Sequence, residues 1–98
     1  MGTTELLISD LENLISERVF IKIENWNLYL GDAGLSRKLA IEFVGNLDKG
    51  NKQAIKISLM SVHVRIGEGI EKIPLLKFIT ENQMNELEDI INEVSFNR

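Results

Sequence analysis

The sequence predicts an α+β fold: helices followed by a β-hairpin and a C-terminal helix. Apolar residues recur at helical spacing within 7–19, 36–47 and 84–94. Val62, Val64 and Ile66 instead alternate with polar neighbours, and Gly67-Glu68-Gly69 interrupts the run before a second strand-like stretch over 70–75. The chain has 98 residues with one Pro, and it is 44% hydrophobic and 27% charged. That balance fits one folded domain, residues 1–98, rather than a disordered chain.

The first helix starts where Thr3 or Thr4 can accept from the free amides and Glu5 suits the positive helix end. Leu7, Leu11, Leu14, Ile15 and Val19 form its apolar face. Residues 19–30 read two ways. Val19, Ile21 and Ile23 alternate like a strand, whereas Phe20, Ile23, Trp26, Leu30 and Ala33 keep helical spacing. The helical reading is favoured, running to about Asp32, with Gly31 and Gly34 weakening its end.

Ser36 then caps a helix whose buried face is Leu39, Ala40, Phe43, Val44 and Leu47. A turn over 45–51 ends it. Residues 52–60 are again open between a bulged strand and a short helix. Asn51 as a cap and the spacing of Ala54, Ile55 and Leu59 favour a helix, with a strand from Val62. Pro74 lacks an amide donor, so the returning strand lies at an edge or ends there. The last helix has the clearest start. Thr80 with Gln83 makes a capping box, Ile79 with Met84 a hydrophobic staple, and Met84, Leu87, Ile90, Ile91 and Val94 the buried stripe.

Two strands alone are marginal in water. The hairpin must lean on helices, and its free edge invites a second copy. The expectation is a homodimer in which two hairpins, through Val62, Val64, Ile66 and Ile73, form a continuous sheet. The alternative is a monomer whose edge is covered by its own helix or by the Phe96 tail.

Composition excludes several chemistries. With no cysteine, disulfides, thiolate metal sites and thiol nucleophiles are ruled out. The N-terminal residues predict no secretory leader, and no apolar run reaches the ~20 residues of a membrane helix. A net charge of −4 argues against nucleic acid as a partner. The charge is segregated: residues 37–77 are basic between two acidic ends, which suits either an acidic partner or neutralisation within the fold.

No motif specifies a reaction. The run from Gly45 to Lys52 lacks the Gly-Lys-Ser/Thr of a phosphate loop and follows a helix instead of a strand. Gly67 and Gly69 lack the third glycine of a dinucleotide loop. His63, the single histidine, reads as a surface strand residue, and Glu68 and Glu71 as turn carboxylates. No metal and no cofactor is predicted. On a helix, Trp26, Tyr29 and Asp32 would share a face and could form an aromatic and carboxylate binding surface. The competing reading packs both rings into the core.

The run Trp26-Asn27-Leu28-Tyr29-Leu30-Gly31-Asp32-Ala33, with Leu35 and Leu39-Ala40 after it, resembles a family of small cyanobacterial proteins of unknown function. That family carries a Trp-His-Leu-Tyr-Leu-Ala-Asp-Ala run before a Leu-Ala-Glu helix. Val64-Arg65-Ile66-Gly67-Glu68-Gly69 and Pro74-Leu75 resemble its later turn and strand end. The likeness spans roughly residues 7–95. Asn27, Gly34 and Ser36 stand where the family tends to have histidines, so no metal role passes to them. The resemblance implies a cytoplasmic protein of a photosynthetic bacterium and supplies no activity. The expected function is therefore a non-enzymatic protein-interaction module, a dimeric adaptor or assembly factor. Its rival is a small-molecule-binding protein or enzyme using Trp26, Tyr29 and Asp32.

Overall fold

The computed structural model describes residues 2–23, 26–66 and 71–96. Helix α1 covers Gly2–Arg18 and buries Leu11 and Ile15 of the expected stripe together with Ile8, which lay outside it, while Leu7 and Leu14 are half-buried. The chain then turns into a ribbon, β1 (Phe20–Ile23) antiparallel to β2 (Trp26–Tyr29), with Phe20 opposite Tyr29 and Ile21 opposite Leu28. This corrects the helix expected over 19–32. The two-residue period prevails because it alone buries Val19 and Ile21 together, both fully, while Lys22 is left exposed. The Leu30 amide closes the ribbon on the Val19 carbonyl at 3.0 Å.

Helix α2 (Ser36–Asn46) follows a turn, and α3 (Asn51–Ser61) follows a single 3-10 turn at Leu47–Lys49. Gly50, at φ +94°, makes the bend between them with a backbone that other residues rarely adopt. The short-helix reading of 52–60 thus holds, followed by a second ribbon of β3 (His63–Ile66) and β4 (Glu71–Pro74). A 3-10 turn at Leu75–Lys77 leads to α4 (Glu81–Phe96). The expected α+β order of helices, hairpin and C-terminal helix is present, with an additional ribbon after α1.

The caps are used differently from their sequence reading. Leu35, not Ser36, occupies the cap position of α2, and the Ser36 hydroxyl is buried without a partner among the described residues. Gly50, not Asn51, precedes α3, and the Asn51 amide instead donates to Asn92 Oδ1 at 2.9 Å. Thr80 does cap α4, its hydroxyl accepting from the Gln83 amide at 3.2 Å. The Gln83 side chain does not complete the box: its Oε1 accepts the Phe20 amide at 3.1 Å.

Helix α1 packs against α2 and α4, and α3 packs against the same two. One buried cluster draws on all four helices and both ribbons, with Phe43, Leu39, Leu59, Leu75, Leu87 and Ile90 fully enclosed. Ion pairs clip its rim. Arg18 bridges to Glu86 and, at 2.6 Å, to Glu93 on α4. Arg37 reaches Glu5 at 2.7 Å and Glu12 at 3.2 Å on α1. Both guanidiniums are held above their ordinary value, Arg18 chiefly by its hydrogen bond to Glu93 and Arg37 by its bond to Glu5.

Candidate functional site

Trp26, Tyr29 and Asp32 do not share a helix face, because Trp26 and Tyr29 lie on β2 and Asp32 in the turn after it. Residues three apart on a strand fall on opposite faces, so the helical juxtaposition is lost. The side chain of Trp26 lies outside those described. Tyr29 sits opposite Phe20 in a non-hydrogen-bonded pair, where side chains approach closely, and the two rings tilt together at 5.3 Å between centroids. Tyr29 and Asp32 are both exposed.

The register of the second ribbon sets which of its main-chain groups face outward. Leu75 N–H donates to the Val62 carbonyl at 2.8 Å. Hydrogen-bonded pairs alternate with open ones in an antiparallel ladder. Pairs 64–73 and 66–71 are therefore bonded, while His63 opposite Pro74 and Arg65 opposite Lys72 direct their main-chain groups away from the partner strand. Pro74 thus lies where its missing amide faces outward, as the sequence led us to expect. The outer edge of β4 is short of a donor there. The outer edge of β3 keeps the N–H and C=O of both His63 and Arg65.

Val62, Val64 and Ile73, proposed for self-association, share the inner face of the ribbon, Ile73 being the cross-strand partner of Val64. Val62 and Val64 are buried in the protein's own core, and Ile73 is half-buried. The Ile66 side chain and the Gly67-Glu68-Gly69 turn lie outside the described residues. What the ribbon offers a second copy is therefore the main chain of β3.

On the outer face, an open groove of about 390 Å³ runs between α2 and the ribbon. Lys38, Ile41 and Glu42 line one side, and Val62, His63 and Lys72 the other. Ile41 remains 46% exposed. Neither Lys38 nor Lys72 makes an ion pair among the described residues, in contrast to Arg18 and Arg37, which each hold two carboxylates. A second groove of about 420 Å³ between α3 and α4 sets Lys52 and Lys56 against Glu81 and Glu88, so its charges balance. No cluster of three or more His, Asp or Glu able to hold a metal ion occurs among the described residues. Sequence reading missed the α2 groove, because Lys38 and Lys72 are distant in the chain. The basic segment 37–77 was the signal that pointed towards it.

The fold provides the frame for comparison with known proteins. The profile of a family described as "Protein of unknown function (DUF3181)" matches residues 8–94. The chain belongs to that family. A relative, the "Thylakoid-associated protein slr0729" of Synechocystis sp. (strain ATCC 27184 / PCC 6803 / Kazusa), is 30% identical over 95 residues, covering 95% of this chain and 94% of the relative. No solved structure matches this DUF3181 chain. Among its described residues no helix is long and apolar enough to cross a membrane.

Proposed function

We propose that this chain is a non-enzymatic protein-interaction module, folding as one unit, that forms a homodimer through the free edge of β3. It would serve a photosynthetic bacterium as an adaptor or assembly factor, in the cytoplasm and in contact with the thylakoid, with an unidentified protein as its further partner. The thylakoid association in the relative's name supports the setting.

The observation that carries the reading is the register of the second ribbon. A two-stranded sheet with unpaired main-chain groups on one margin is a template for strand addition. Among the described residues His63 and Arg65 present such groups, and Val62 and Val64 anchor the ribbon to the core so that the template stays in place. An antiparallel β3–β3 contact between two copies would turn two marginal ribbons into one four-stranded sheet.

Sedimentation velocity over a wide concentration range tests this. The wild type should move toward twice the 11.1 kDa of one chain. His63→Pro removes an outward amide and should stay at single mass with an unchanged circular dichroism spectrum. Slower amide exchange at His63 and Arg65 on raising the protein concentration is the readout that needs no variant. Single-mass species at every concentration, with exchange at these amides unchanged, would overturn the dimer.

A further inference from the structure

We propose that the groove between α2 and the β3–β4 ribbon binds an anionic group of the phosphate or sulfate class, held between Lys38 and Lys72 beside His63. The first argument is register. The open pairs 63–74 and 65–72 alternate with the buried Val62 and Val64, so His63 and Lys72 share the outer face of the ribbon, and both line the groove. The second is the distribution of partners. This acidic chain supplies carboxylates to Arg18 and Arg37 and lines the α3–α4 groove with as many acids as lysines, whereas Lys38 and Lys72, without an ion pair among the described residues, share their groove with Glu42 alone. Glu42, one turn after Lys38 on α2, lines the same groove without pairing to it, so two ammonium groups face one carboxylate.

The third argument is shape. About 390 Å³ is within the range of small-ligand sites and exceeds what a bare ion needs. Ile41 and Val62 add an apolar wall next to the cations. Such a site suits an anion carried on an apolar body, whether a lipid headgroup or a soluble ester. Lysine serves as a point charge for such groups, with the His63 imidazole able to donate a hydrogen bond. This inference stands apart from self-association, which uses the edge of β3 and not the outer face of the ribbon.

The test uses the full chain and two probes. Inorganic phosphate is titrated while the His63 ring and the Lys38 and Lys72 amides are followed by NMR, with chloride at matched ionic strength as reference. In parallel, the protein is sedimented with phosphatidylcholine vesicles with and without phosphatidylglycerol. The comparison protein is Lys38→Gln with Lys72→Gln, both exposed positions, checked for fold by circular dichroism and for mass by sedimentation. Saturable shifts with phosphate, weakened at least about tenfold in the double variant, support the site with a free anion as ligand. Binding only to phosphatidylglycerol vesicles, lost in the double variant, supports it with a headgroup as ligand. No response to either probe, or a response the double variant retains, overturns the proposal. A change in mass is a separate readout and bears only on the dimer.

Discussion

Gln83 Oε1 on α4 accepts the main-chain amide of Phe20 on β1 at 3.1 Å, joining two elements 63 residues apart. Phe20 lies in an open pair of the first ribbon, so its amide faces the outer edge of β1 and would otherwise lack a donor's partner. Gln83→Ala should therefore cost about 1–3 kcal/mol, the range for a partly buried donor left unsatisfied. Urea unfolding would measure it. Hydrogen exchange at the Phe20 amide should quicken in the same variant.

Gly31 follows β2 where the chain runs closest to α1. A Cβ there would sit 2.7 Å from Ser16 Cβ and 3.1 Å from Ser16 Cα, with no flexible side-chain end to give way. Gly31→Ala should destabilise by roughly 1–3 kcal/mol through overpacking. Combining it with Ser16→Gly should recover part of that loss, since the nearest atom is then gone. Strictly additive losses in the double variant would contradict this account.

Ser58 is fully buried in α3, and its hydroxyl has no partner among the described residues. Ser58→Ala removes an unsatisfied polar group and improves helix propensity, so the thermal midpoint should rise, by about 1 kcal/mol in stability. A fall in the midpoint would show that the hydroxyl is satisfied in solution.

Arg18 carries the pairs that tie the end of α1 to α4. Its folded value is raised, chiefly by hydrogen bonding to Glu93, so its contribution is complete below the ordinary guanidinium value and fades only as pH climbs through the raised one. The loss caused by Arg18→Gln should be the same at neutral and mildly alkaline pH. These side chains remain about a third exposed or more, so that loss should be at most about 1 kcal/mol and should shrink in high salt. Denaturant midpoints at low and high ionic strength, each at both pH values, check all of this.

The elements that local chemistry specifies were the legible ones. The Thr80 cap and the stripe from Leu87 to Val94 are both realised in α4. Residues 19–30 were not legible, because Ile23 belongs to both competing periods and neighbouring residues satisfy each. What decides between them is the burial of Val19 and Ile21 against helices distant in the sequence, which no short window contains. Gln83 shows the same limit: its spacing from Thr80 satisfies a local rule, while its side chain answers a strand at the other end of the chain. The groove at Lys38 and Lys72 is legible only as an excess of charge in the middle of the sequence. Whether such an excess is neutralised depends on which acids the fold carries to it.

Pro74 has a consequence for how large any assembly can become. Fibre-like growth needs two receptive margins on each subunit, one to accept the next member and one to be accepted. The second ribbon offers complete groups at both His63 and Arg65 on one margin, while the opposite flank keeps those of Lys72 but lacks a donor at Pro74. A pair zipped along the receptive side would carry a proline on each outer flank, which disfavours a third member by that route. Crowding more copies together would raise the fraction paired more than it lengthens the array.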